Sequence, residues 1–494
     1  MSNNNLSKTL YCCGVQCPKM LWLKKYGNIP VSADNQAVFE NGNRVGDLAM
    51  GLLGDFVEVP YAQDKREMVA ATEAFLDAGE KVICEASFIS GNLFCSLDIL
   101  HVIGNKCVDF YEVKSSSQKK EVYLQDCAYQ LLVLSRLGYD VRNVYLVNID
   151  TSYVRYGDLD IHKLFGIHDV TSVVYSMQKE TAENIARLNE CMNLTDEPDT
   201  DLHSGCFSPY ECDYWGYCSS GLPEPSVFDL CRMSKNRMLT LYYEGKTGFG
   251  DLTGEKLSDA QLLQVSSYLS GKSFINNGEI SKFMDRLSYP LYFLDFESFQ
   301  PAIPPYDGTW PYMQIPFQYS LHWIDSPDDS SPKHSGFIAE AGPDPRRAIA
   351  ESLCLNIPDD VCVTAYYMSF EKGRLKELAD LFPDLSAHLM AIHDNIVDLE
   401  VPFSRRWYYL PAMNGSASIK KVLPALYPDD PELNYANLPG DVQHGDQASA
   451  VYSAMAGMDR EEYARCYEDL WNYCKLDTYA MYKVWQKLYQ CCEQ

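Results

Sequence analysis

The sequence predicts an α/β protein of more than one domain, and three observations carry that expectation. The chain has 494 residues, more than one ordinary core accommodates, so two or three domains are expected. Short apolar strand-like runs are joined by stretches of helical periodicity in both halves. Hydrophobic residues make up 46% and charged residues 22%, a globular composition rather than a disordered or fibrous one.

Taken in order, the runs KVICEASFIS, LFCSLDILHV, CVDFYEVKSS and NVYLVNID read as strands of a first domain, residues 1–220. EVYLQDCAYQLLVLSRLG reads as a helix stopped by Gly138, a C-cap residue. SSGLPEPSVFD gathers Ser, Gly and Pro and reads as a linker. Residues 221–286 are polar and helical, a connector. A second α/β unit, 287–494, begins near Tyr289 and ends in a helical pattern from Asp459 to Leu488.

Formal charge is 41 − 68 = −27, which argues against binding nucleic acid by bulk attraction to phosphate. A local groove that works through metal ions is still allowed. MSNNNLSKTL lacks a basic segment followed by an apolar one, and no run approaches a membrane span. A cytoplasmic protein without membrane association is expected. Its 18 cysteines are then core hydrophobes or ligands rather than disulfides.

Three constellations carry chemistry. Asp98 lies in one predicted strand, and Glu112 and Lys114 share a face of the next. Neighbouring strands bring the three together, where two carboxylates hold Mg²⁺ or Mn²⁺ and the lysine orients a water or balances charge. Gln125 and Tyr129 follow at i and i+4 of the predicted helix. The order D…E-x-K…Q-x-x-x-Y resembles the RecB-like branch of the PD-(D/E)XK nucleases, which implies a restriction-endonuclease-like fold. The sequence departs from that branch in one place, since NGNRVGDLAMGLLG lacks the usual early histidine.

Cys206, Cys212 and Cys218 are spaced six apart in a turn-rich aromatic loop, and Cys17 stands before PKMLWL near Cys12 and Cys13. One early cysteine and a late trio around such a core resemble the iron–sulfur nucleases of the AddB and CRISPR-associated kinds. The resemblance implies a 4Fe–4S cluster on Cys17, Cys206, Cys212 and Cys218. Zinc, which also takes four thiolates, is the alternative.

In LYFLDFESFQ, Asp295 and Glu297 point to one face of an apolar strand, where their repulsion calls for a cation. Glu371 stands near the start of an amphipathic helix, and Tyr473 and Asp477 share a face of the last one. D-x-E, F-E and Y-x-x-x-D in this order resemble the DnaQ-like DEDD exonucleases of the tyrosine subtype, which implies an RNase H-like fold. It also implies that Asp295, Glu297, Glu371 and Asp477 ligate two metal ions while Tyr473 positions the attacking water. Here the third acid is Glu rather than Asp, and Tyr367 replaces the usual Asn. Asp398 is expected to be a cap or a group supporting the ligands rather than a ligand itself. Lys420, Lys421, Arg405 and Arg406 are weak candidates for phosphate contacts.

CPKMLWL, LDFES, FQYSLHW, GSASIKKVLPAL and YCKLDT together resemble a bacterial family that fuses a RecB-like iron–sulfur nuclease domain to a DnaQ-like domain. The implied function is a metal-dependent, double-headed nuclease acting on DNA in repair, recombination or defence. The alternatives are a nucleic-acid-binding scaffold with one or both sites inactive, and a ribonuclease.

Overall fold

The computed structural model describes residues 5–27, 29, 36–440 and 442–492, with 36–41 described as backbone only. It is a mixed α/β structure of two compact units. The first holds Met1–Gly221 and Pro301–Met313, the second Leu222–Gln300 and Gln314–Gln494.

The first unit runs β1 (Leu6–Ser7), α1 (Lys8–Gln16), α2 (Pro18–Tyr26), α3 (Gln36–Ala49), β2 (Val57–Glu58), α4 (Lys65–Ala78), β3 (Val82–Ser90), β4 (Leu93–Gly104), β5 (Cys107–Lys114), α5 (Glu121–Arg136), β6 (Asp140–Ile149) and β7 (Phe165–Asp169). Its described strands lie in the order β2-β3-β4-β5-β6-β7, and β1 joins the start of β4 in parallel. β3, β4 and β5 are an antiparallel meander, and α5 is the crossover into parallel β6. α5 stops as the sequence expects, with Gly138 left-handed at φ 79°. Leu97, Phe110, Leu131 and Leu146 belong to a core that includes α5 residues; Val45, Ile99, Tyr111 and Ala302 belong to a second core that includes α3 residues. The segment 301–313 is fastened within this unit by Arg155, whose guanidinium donates to Pro304 O and Pro305 O at 3.1 and 3.0 Å.

In the second unit β8 (Phe274–Ile275) precedes β9 (Leu291–Phe299), β10 (Ile315–Ile324), β11 (Lys333–Ile338), β12 (Cys362–Ala365), β13 (Ile396–Asp398) and β14 (Tyr408–Tyr409). The main sheet has the order β11-β10-β9-β12-β13, with β9, β10 and β11 antiparallel and β12 and β13 parallel to β9. Alternation along β9 divides its side chains. Tyr292, Leu294 and Phe296 join the core formed with helices Arg346–Asn356 and Ser369–Leu381. Phe293 faces Tyr482 and Trp485 of the long helix Arg460–Gln490, which leaves Asp295 and Glu297 on that same side.

Residues 221–286 do not stand apart as a connector; all but Gly221 group with the second unit. Two bonds within that unit explain it. β8 pairs with β14, and Gln264 Nε2 donates to Asp229 O and Asn414 O at 2.9 and 3.1 Å.

Candidate functional site

In the second unit the carboxylates converge. One oxygen each of Asp295 and Glu297 and the sulfur of Cys474 lie within 4.8 Å of one another. The helix Arg460–Gln490 supplies Tyr473, Cys474 and Asp477, all buried. It is capped by Asp459, which accepts from Glu461 N at 2.9 Å and Glu462 N at 3.0 Å. Glu371, in the first turn of Ser369–Leu381, is buried with Oε2 lacking any hydrogen-bond partner among the described residues.

The electrostatics of this cluster are unbalanced. Burial, with repulsion from Asp477, Glu297 and Glu371, holds the Asp295 carboxyl well above its ordinary range. Burial and Asp477 do the same to Glu297, against the pull of Lys420. Burial pushes Glu371 up to about 8 and Asp477 up to about 6. Acceptor-only carboxylates packed this way want a cation, and carboxylate oxygens suit Mg²⁺ or Mn²⁺, although the sulfur of Cys474 stands among them. Asp295 and Glu297 are the two carboxylates that could share an ion, and Glu371 keeps an unpartnered oxygen among the described residues.

Tyr473 is anchored at the same place. Lys420 Nζ lies 3.3 Å from its hydroxyl and stands over the rings of both Tyr435 and Tyr473. Tyr435 donates its hydroxyl to Asp477 Oδ1 at 2.6 Å. Asp398 is the N-cap of neither neighbouring helix; it braces the loop before Ser369–Leu381, accepting from Tyr367 N, Met368 N and Glu400 N at 3.0, 3.2 and 2.9 Å. Lys421 and Arg405 are exposed, and Arg406 is half-buried beside Cys231.

The first unit gathers Asp98, Glu112 and Lys114 as expected. The register Ile99↔Tyr111 leads to Asp98 beside Glu112, and Asp98 Oδ2 accepts from Val113 N at 2.6 Å. Lys114 Nζ donates to Glu112 Oε1 at 2.7 Å and to Asp126 Oδ2 at 2.6 Å. Lys8, which the sequence gave no reason to single out, donates to the same Glu112 oxygen at 2.6 Å. It arrives there because β1 pairs with Leu93 and Phe94, beyond the end of β5. Burial opposes both ammoniums, but Glu112 and neighbouring carboxylates outweigh it and hold Lys8 and Lys114 above the ordinary lysine value. Burial likewise opposes the Glu112 charge; Lys114 and Lys8 prevail and draw its carboxyl down to about 2. Burial and then Glu112 raise Asp98 to about 6. Glu85, facing Asp98 through the register Cys84↔Ile99 and Ala86↔Leu97, is raised to about 7 by burial and by Asp98.

Gln125 makes no hydrogen bond to the carboxylates, among the described residues, and Tyr129 donates to the main chain at Leu6 O and Phe94 O. From the same helix Asp126 and Gln130 reach the set, Asp126 through Lys114 and Gln130 Nε2 donating to Glu112 Oε2 at 2.7 Å. Both pairs have i, i+4 spacing, so the sequence alone leaves the helix phase open. Burial of Leu131, Leu134 and Tyr129 against the sheet decides it. Cys474 and Tyr435 gave no earlier signal, since a helical cysteine and a loop tyrosine are ordinary core residues.

Cys17, Cys206, Cys212 and Cys218 line one apolar cavity with Met20, Leu23 and Tyr214. Gln16 Nε2 ties the two chain segments by donating to Gly205 O and Tyr210 O at 2.7 and 2.8 Å. Residue 205 must be glycine there, because a Cβ would meet Gln16 O at 2.4 Å. Burial, and then the charge of neighbouring thiols, push the Cys206, Cys212 and Cys218 thiols up. No three of the four sulfurs lie within 4.8 Å of one another, among the described residues. Sulfurs on a single tetrahedral zinc are about 3.8 Å apart, given Zn–S near 2.3 Å.

Residues 292–418 match a family model described as a domain of unknown function (DUF2779). The match takes in Asp295, Glu297, Glu371 and Asp398 and ends before Lys420. Two relatives are the uncharacterized protein MG366 homolog of Mycoplasma pneumoniae, 28% identical over 207 residues, and the uncharacterized protein MG366 of Mycoplasma genitalium, 26% identical over 237 residues. These matches cover 39% and 44% of this chain, and 31% and 35% of the relatives. A third, uncharacterized protein UU173 of Ureaplasma parvum, is 28% identical over 241 residues, 44% of this chain and 34% of its own. The chain thus spans about a third of the length of these curated relatives.

Proposed function

We propose that the chain is a metal-dependent nuclease acting on DNA with a free 3′ end, its 3′–5′ exonuclease site in the second unit. The observation that carries this is the set Asp295, Glu297, Glu371 and Asp477, three of them buried and Asp295 half-buried, with raised carboxyl pKa values and an unpartnered Glu371 oxygen. Mg²⁺ or Mn²⁺ held by these residues supplies charge for the leaving oxygen and a nucleophile from water. Tyr473, steadied by Lys420, positions that water. The sheet order β11-β10-β9-β12-β13, with three antiparallel strands and then two parallel to β9, supports an RNase H-like reading of this unit. The meander, crossover helix and Asp98–Glu112–Lys114 set support a restriction-endonuclease-like reading of the other, as a second nuclease head. Cys17, Cys206, Cys212 and Cys218, which line one cavity, hold a 4Fe–4S cluster in this reading, with zinc as the alternative. The cluster staples an early segment of the chain to a late one. Repair, recombination and defence are the processes in which such an enzyme belongs, in a cytoplasmic protein; no described helix is long and apolar enough to cross a membrane.

A second reading has an observation of its own. Glu112 already has two ammonium partners, at 2.6 and 2.7 Å, so its own charge is neutralised without an ion. On this reading the first unit binds nucleic acid without cutting it. The experiment is degradation of 5′- and 3′-labelled single-stranded DNA and RNA with Mn²⁺ by wild type, Lys114→Ala and Asp295→Ala. Loss of the 3′-end ladder in Asp295→Ala alone assigns the exonuclease, and residual cutting lost in Lys114→Ala assigns the second head. A wild type that cuts nothing with Mn²⁺ overturns the nuclease reading, and a ladder on RNA alone makes it a ribonuclease.

A further inference from the structure

A cleft of about 460 Å³ in the second unit is lined by Arg232, Tyr366, Tyr367, Arg406, Ser416 and Ser418, among others. Two of its lining segments are continuous in the chain with residues of the carboxylate site. Tyr367 lies four residues before Glu371, and its amide is held by Asp398 at 3.0 Å. Ser418 lies two residues before Lys420, and Ala417 O accepts from the Tyr366 hydroxyl at 2.7 Å.

The lining is strained in a way that packing does not require. Among the described residues seven non-glycine residues have positive φ, and three of them are in this cleft: Arg232 at 55°, Tyr367 at 70° and Arg406 at 60°. Glycine adopts that conformation without penalty, and asparagine more readily than these side chains. The neighbouring Gly415, at φ 79°, is glycine for a plain reason, since a Cβ would meet Cys231 Cβ at 2.7 Å. At Arg232, Tyr367 and Arg406 the costly side chain is retained instead. The Tyr367 ring is 63% exposed, so the strain serves no core. Strained residues with exposed, chemically useful side chains gather at binding sites. Arg232 and Arg406 are cations, and neither forms an ion pair within 4 Å among the described residues; Arg406 reaches only Cys231 Sγ at 3.9 Å. Glu400 also lines the cleft, its carboxyl raised by burial and by Asp398 against the charge of Arg232.

We infer that this cleft holds a nucleotide of the strand whose 3′ end lies in the carboxylate site, with its base stacked on Tyr367 and its phosphate against Arg232 and Arg406. The inference rests on the nuclease reading and names how that site grips single-stranded nucleic acid. Stacking suits a processing enzyme because every base offers a π-face.

The test is fluorescence anisotropy with a 5′-labelled single-stranded oligodeoxynucleotide in Mn²⁺, on Asp295→Asn protein so that the strand survives. Adding Tyr367→Ala or Arg406→Ala weakens binding about ten-fold, and Tyr367→Phe retains it. Tyr367→Gly weakens binding as well while its thermal midpoint stays level or rises, because the strain is relieved; a folding defect would lower both. Unchanged affinity in Tyr367→Ala and Arg406→Ala overturns the assignment. So does equal affinity for thymidine 5′-monophosphate and the oligonucleotide, which would make the cleft a free-nucleotide site. Failure of wild type to cut labelled DNA overturns the nuclease reading separately, and the anisotropy still reads the cleft.

Discussion

Gln130 donates its side-chain amide to Glu112 Oε2 at 2.7 Å, while Gln125, on the same helix, reaches no carboxylate of the set among the described residues. Glu112 thus has both oxygens engaged, one by Gln130 and the other by Lys8 and Lys114. If the first head cuts DNA, Gln130→Ala lowers its Mn²⁺-dependent rate about ten-fold or more, the usual cost of freeing a ligand carboxylate. Gln125→Ala changes it less than about two-fold, as surface substitutions do. Rates in an Asp295→Ala background, where only the first head remains, check the pair.

Asp295→Asn separates stability from activity. Asp295 is held above its ordinary pKa by burial and three neighbouring carboxylates. Removing its charge relieves that repulsion, so in metal-free buffer the second unit melts about 2–4 °C higher, a gain of roughly 1 kcal/mol. Exonuclease activity disappears in the same variant. Wild type gains stability on adding Mn²⁺, by mass action on the folded state, and Asp295→Asn gains less. Differential scanning calorimetry with and without Mn²⁺ reads both effects.

Cys212→Ser tests the thiol cavity. Wild type purified without air carries iron and a brown absorbance; the variant loses both, and the first unit melts about 10 °C lower because the staple across the chain is gone. Metal analysis that finds zinc in place of iron decides for the alternative ion.

The second unit also carries a pH signature away from its carboxylates. Burial, then His334, lowers His322 from 6.5 to about 3, and burial lowers His334 to about 4. His322 Nδ1 lies 2.7 Å from Thr478 Oγ1. The unfolded chain takes up protons at these rings below pH 6.5 while the folded one does not. Their contribution to stability is therefore complete above about pH 6.5 and is lost as pH falls from there toward 4 and 3, at up to about 1.4 kcal/mol per pH unit for each ring. Thermal midpoints fall between pH 6.5 and 4.5, and His322→Asn flattens that fall.

The sequence by itself determined the α/β class, most strand positions and the carboxylate pairs, because the period of two in a strand fixes which residues share a face. Asp295 with Glu297, and Glu112 with Lys114, are legible for that reason. It also determined Gly138 as a helix stop, which depends on local backbone chemistry. Only the tertiary structure decided the rest. The phase of α5 depended on which stripe buried itself against the sheet, so Gln130 replaced Gln125. Lys8 entered through the pairing of β1 with β4, a contact between residues far apart in the chain. Residues 301–313 joined the first unit and 222–286 the second for the same reason, since grouping follows long-range packing rather than local composition. The left-handed Arg232, Tyr367 and Arg406 converge on one cleft from three distant segments, and local sequence pattern does not encode such convergence.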